Sequence, residues 1–150
     1  MRKTLLAAIF LVSLCPALAA PPEASDADVA RFVTEAVSAT LTRGGETTDA
    51  SWLSRMVSLS TTEGANEVFR FWAAAGVPDE PGVDDSYAAQ VNGQPEVRRL
   101  DKAAWKARAI VLQTYDKGGE RGAVGMTVET RVAQDPKSGA LRLEGLSLLN

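Results

Sequence analysis

Apolar residues recur every three or four positions in the first half of the chain and every second position in the second half. Val29, Phe32, Val33, Ala36, Val37 and Leu41 fall on one helical face, with Asp28, Arg31, Glu35 and Ser38 opposite. Ser25 or Asp26 stands where a side-chain oxygen accepts the free amides of a first turn, and Gly44-Gly45 ends the pattern. A second, shorter helix is capped by Thr47 or Thr48 and aligns Trp52, Met56 and Leu59, leaving the head of Arg55 in water. In a third, Thr61 or Thr62 supplies the cap and Glu63 suits the positive end of the helix dipole. Val68, Phe69, Trp72 and Ala75 form its predicted buried stripe, and Gly76 and Pro78 stop it.

The period changes beyond the turn-rich acidic stretch PDEPGVDD. Tyr87, Ala89 and Val91 alternate up to Asn92-Gly93, a pair that favours a two-residue hairpin. Val97 to Leu100 is then expected to return as a short edge strand, because Pro95 lacks the amide that a central ladder needs. A long strand carries Trp105, Ala107, Ala109, Val111, Gln113 and Tyr115 on one face and Lys106, Arg108, Ile110, Leu112 and Thr114 on the other. Asp116-Lys117-Gly118-Gly119 turns it into a strand in which Val124, Met126, Val128, Thr130 and Val132 alternate. Asp135-Pro136-Lys137-Ser138-Gly139 makes the next hairpin loop. In the last strand Leu146 and Leu148 share the face of Leu141 and Leu143 only if the register slips near Gly145. The order predicts an α+β fold in which three N-terminal helices pack on the concave side of a curved antiparallel sheet.

Composition adds a compartment. Arg2 and Lys3, the apolar run Leu5 to Leu14 and Ala17-Leu18-Ala19 have the order of a secretory signal peptide, with cleavage expected after Ala19. The chain then divides into a signal peptide (1–19), a short linker (20–25) and a single domain (26–150), a size that 45% hydrophobic and 23% charged residues suit. The expected location is the periplasm. The alternative is a retained anchor facing the periplasm, although the run falls short of the ~20 residues that span a bilayer.

Cys15 leaves with the signal, and the remainder has neither cysteine nor histidine. Disulfides, thiol catalysis and imidazole-based metal sites are excluded together, and no cofactor is implied. Losing Arg2 and Lys3 takes the formal charge from -3 to -5, so nucleic acid is an unlikely partner. Glu63 and Glu67 lie one helical turn apart, a pattern commoner on a solvated face than in an acid/base pair. The loop acids Asp79, Glu80, Asp84 and Asp85 lack the spacing of a calcium loop, and the glycines from Gly118 to Gly122 join strands instead of opening a helix. Arg98, Arg99, Lys102, Lys106 and Arg108 are the candidate interface, against the plainer reading of a charged edge strand that resists uncontrolled pairing. Trp52, Phe69, Trp72, Trp105 and Tyr115 are candidates for core or for the lining of a concave pocket.

Thr61 and Thr62 before Gly64, Val68 and Trp72 at helical spacing, Gly76 twelve residues after Gly64, and Trp105 to Tyr115 around Ile110-Val111 together resemble the DotI/IcmL family. These are periplasmic-domain proteins of type IVB secretion and related conjugation systems. Gly93-Gln94-Pro95 is similar to the family's turn before that strand, and the likeness runs over residues 26–149. Ala65 stands where the family has an aromatic, and the leader reads as a cleavable signal where the family has a cytoplasmic tail and a membrane helix. The resemblance implies a nuclear-transport-factor-2-like cone, a noncatalytic role, homo-oligomers and secretion-system partners, with no catalytic residues to carry over. A free-standing cone-fold protein that binds or turns over a small molecule is the alternative.

Overall fold

The computed structural model describes residues 19–75, 77 and 85–149. Among these residues three helices precede the long strands: α1 (Asp26–Thr40), α2 (Asp49–Leu59) and α3 (Thr62–Ala74), with a two-residue strand β1 (Arg43–Gly44) between the first two. β2 (Ser86–Asp101), β3 (Ala104–Lys117), β4 (Glu120–Gln134) and β5 (Leu141–Leu149) follow. The five strands form one sheet in sequence order, every neighbour antiparallel, curled into a half-barrel.

Each helix starts on the side-chain cap that its sequence offers. The Ser25 hydroxyl accepts the Asp28 amide while Asp28 returns a carboxylate to the Ser25 amide, a complete capping box. Thr48 caps α2 and Thr61 caps α3. Helix α1 ends at Thr40 with Leu41 as its C-cap, ahead of Gly44 and Gly45. Gly44, the second residue of β1, and Gly45 after it take positive φ where the chain reverses, and they do not cap the helix as expected.

The sheet departs from expectation at Asn92-Gly93. No hairpin forms there: β2 continues through it, and Gly93 takes φ 78 inside a bulge where Asn92 pairs Ile110 and Glu96 pairs Arg108. The whole of β3 serves as template for β2, so the ladder resumes instead of reversing. Pro95 is buried inside the bulge, where its missing amide breaks no ladder bond. The slip near Gly145 is present: Val132 pairs Leu143 and Arg131 pairs Gly145, leaving Glu144 as the extra residue. Leu143 and Leu146 are therefore both buried on the helix side.

Helices cover one sheet face. Val29, Val33, Val37, Trp52, Met56, Val68 and Trp72 interlock with Trp105, Val111, Val128, Val132 and Leu143 in a single core. In α3 the buried stripe is Gly64, Val68, Phe71 and Trp72, which corrects the predicted Phe69 and Ala75. Phe69 is 39% exposed and meets Trp52 edge-on at 5.7 Å, while Phe71 packs against Trp72. Gly76 and Pro78 lie outside the described residues, as does the stretch 79–84.

Candidate interaction site

Among the described residues no helix covers the sheet's second face, and register places its side chains in rows. Arg98, Lys106 and Arg131 stand side by side on β2, β3 and β4, and the next row is Glu96, Arg108 and Glu129. Lys106 Nζ reaches Glu129 Oε1 at 2.8 Å. Beyond them come Asn92, Ile110, Thr127 and Leu149, then Gln90, Leu112 and Gly125. Ile110 is 58% and Leu112 47% exposed. A groove of about 580 Å³ crosses this face between Asn92, Glu96, Arg108, Ile110, Thr127 and Leu149.

The five predicted basic residues are thus divided. Arg98, Lys106 and Arg108 share the bare face, Arg131 joins them, and Lys102 sits in the β2–β3 turn. Arg99 belongs to the other face. Its guanidinium lies 5.2 Å from the Trp105 ring centroid, pairs with Glu23 and donates to the Ala24 carbonyl at 3.0 Å. Strand alternation separates Arg98 from Arg99 although they are neighbours in sequence. Arg131 was legible by the same alternation, but its strand lay outside the charge run that drew attention.

Of the five aromatic candidates, Trp52, Trp72 and Trp105 are core. The indole Nε1 groups of Trp52 and Trp72 both donate to the Thr40 carbonyl, at 3.0 and 3.1 Å, and Gln113 Nε2 donates to the Leu41 carbonyl at 2.9 Å. Side chains from α2, α3 and β3 therefore satisfy the buried carbonyl end of α1, which has no intrahelical partner for its last oxygens. Arg43, 3% exposed, lies across the same site with its guanidinium carbon 4.2 Å from the Trp52 centroid and 5.7 Å from that of Trp72. Asp49 stands 3.6 Å from it. No periodicity marks a buried arginine in a two-residue strand, so the sequence reading passed over it.

Tyr115 lines a cleft. About 420 Å³ lies at one end of the half-barrel between Phe71, Val77, Tyr87, Gln113, Tyr115 and Met126. Tyr115 pairs Gly122 across the strands, and its ring occupies the space a Cβ there would need. Burial, and secondarily the charge of Asp85, raises the Tyr87 phenol above its ordinary pKa, with Arg43 opposing. The buried polar residues are Thr40, Arg43, Ser60, Gln113 and Thr130, so among the described residues no carboxylate is buried.

No protein-family model matches the chain. No curated protein matches it either. Solved structures do. An IcmL-like type IV secretion system protein from Legionella pneumophila aligns with TM-score 0.70 and 16% identity, over 85% of this chain and 94% of that one. A periplasmic fragment of TraM aligns at 0.64 with 12% identity over 84% and 98%, and the periplasmic domain of DotI at 0.61 with 14% over 84% and 96%. The chain shares its fold with these domains, the family that the sequence pattern resembled. No helix among the described residues is long and apolar enough to cross a membrane.

Proposed function

We propose that the protein is a noncatalytic periplasmic assembly component of a type IV secretion or conjugation apparatus, acting through self-association and contacts with neighbouring components. The observation that carries this reading is the fold shared with three domains of that class, over 84–85% of this chain and 94–98% of each of theirs. The signal-like leader supports the compartment, and the lack of histidine and cysteine after residue 19 supports a scaffold over a catalyst. The bare sheet face with Lys106 and Arg108 is the contact surface. Affinity capture from periplasm after cross-linking is expected to recover secretion-system proteins and further copies of the chain. A monomer under all solution conditions with no captured partner would sink the reading.

A small-molecule binder of the same cone architecture is the second reading, and the cleft beside Tyr115 favours it. Its volume lies within the range of ligand pockets, which runs from about 300 to 1,000 Å³. A thermal-shift screen with apolar and aromatic ligands tests it, and saturable stabilisation lost in Tyr115→Ala would move the assignment.

A further inference from the structure

Most arginines among the described residues are engaged. Arg31, Arg43, Arg70, Arg99 and Arg121 each stand by a carboxylate, and Arg142 donates to carbonyls at the end of α2. Arg55, Arg98, Arg108 and Arg131 make no ion pair there, and the last three are exposed together on the bare sheet face. Arg108 has Glu96 and Glu129 opposite it, and Glu129 is taken by Lys106. The uncompensated charge therefore sits in the row Arg98, Lys106 and Arg131, where three cations repel one another across the strands. Two of the three carry the planar fork that matches a carboxylate or phosphate. Four residues along β3, about 14 Å at the rise of a strand, Ile110 borders the groove, and beyond it Leu112 has open space beside it over Gly125.

The charge of the rest of the chain decides between the two anions. After residue 19 the formal charge is -5, which is -3 less the two positive charges of Arg2 and Lys3. A DNA strand or an anionic bilayer extends past the face and meets that excess of acid. A short acidic segment fits within the face, where the four bases named above outnumber two glutamates. We propose that the bare sheet face docks an acidic segment of a neighbouring protein. Its carboxylates bridge Arg98, Lys106 and Arg131, and its apolar side chains seat about 14 Å further on, beside Ile110 and Leu112. The inference rests on the partner contacts of the proposed function and names their chemistry.

A photo-crosslinking amino acid placed at position 112 of the full chain, activated in intact cells, tests it. The cross-linked peptide, read by mass spectrometry, is expected to belong to another protein. It should carry two or more carboxylates within about nine residues of the link, the length that covers 14 Å as a helix; an extended strand needs about four. In Arg98→Glu/Arg131→Glu the adduct is expected to fall at least tenfold, while Arg55→Glu, which reverses an unpaired arginine on α2, leaves it unchanged. All three positions are exposed, so thermal melts should match the parent; Arg98→Gln/Arg131→Gln is the milder pair where they do not. An adduct with a second copy, a linked segment without carboxylates, or an equal loss in Arg55→Glu overturns the proposal. Phosphatidylglycerol vesicles and single-stranded DNA are expected not to bind at about 0.15 M salt. Binding of either that disappears in the double variant would make phosphate the anion recognised and overturn it as well. Cross-links to secretion-system proteins from position 57 on α2 with none from position 112 would keep the assembly role and refute this surface.

Discussion

Gly64 sits in the first turn of α3, where a glycine ordinarily weakens a helix. Its reason is a strand 79 residues further on. The Leu143 carbonyl accepts the Thr61 amide at 2.8 Å and the Thr61 hydroxyl at 3.2 Å, which brings the helix start onto the backbone of β5. A Cβ at Gly64 would run into that carbonyl oxygen, and a backbone atom cannot rotate aside. Gly64→Ala gains about 1 kcal/mol of helix propensity. Overpacking typically costs about 1–3 kcal/mol, and more where the neighbour is rigid. A net loss of about 1–2 kcal/mol is expected from urea unfolding; an unchanged or higher midpoint would show that the crossing yields. The spacing from Gly64 to Gly76 drew attention to this residue in the sequence, but a contact between backbones leaves no side-chain pattern from which its cause can be read. Phe69 and Phe71 illustrate a related loss. Both border the α3 stripe, and which one turns inward depends on where Trp52 and Trp72 lie.

At the scale of elements, local chemistry decided most of what was legible. Ser25, Thr48 and Thr61 each cap the helix that follows, because a cap involves only the next three residues. Strand β3 buries alternate residues from Trp105 to Gln113 and exposes those between, since its face is fixed by period two. Asn92-Gly93 failed for the opposite reason: whether that pair makes a hairpin or a bulge depends on how long a partner strand is available. The α1 capping box has a consequence in pH. Hydrogen bonds from the Ser25 hydroxyl and amide, then the charge of Arg31, hold the Asp28 carboxyl below its ordinary value. A lowered folded-state pKa stabilises above the unfolded value near 3.9, and that contribution disappears as pH falls through the folded value. In Ser25→Ala the Asp28 titration followed by NMR should move up towards the ordinary carboxylate range, with a shallower acid limb of unfolding. A Ser25→Ala protein whose Asp28 titrates where the parent's does would assign the shift to the backbone amide of residue 25, which alanine keeps, and to Arg31 instead.

At the scale of the molecule, the first described residues are docked against the sheet. Residues 20–25 read as a linker because they are polar, proline-rich and without period. In the fold the Ala24 amide donates to Gln134 Oε1 at 3.0 Å, and Gln134 Nε2 donates to the carbonyls of Pro22 at 2.9 Å and Gly139 at 3.1 Å. Arg99 holds Glu23 and Ala24 from β2, and Trp105 Nε1 donates to Asp26 at 3.2 Å. A glutamine that binds backbone 110 residues away has no signature in sequence, since its partners are peptide groups of any residue type. The clasp fixes residues 22–26 beside the β2–β3 turn and the β4–β5 loop, at one pole of the half-barrel. Gln134→Ala removes three hydrogen bonds that are only partly shielded from water, so an expected loss of about 1–2 kcal/mol is nearer the worth of one or two net bonds than of three. The sharper readout is local. Limited proteolysis should cut Gln134→Ala between residues 20 and 26 at least tenfold faster than the parent, with the rest of the domain resistant. Equal cutting rates would mean that Arg99 and Trp105 hold the lead without Gln134, and the double variant with Arg99→Ala would then be the one to release it.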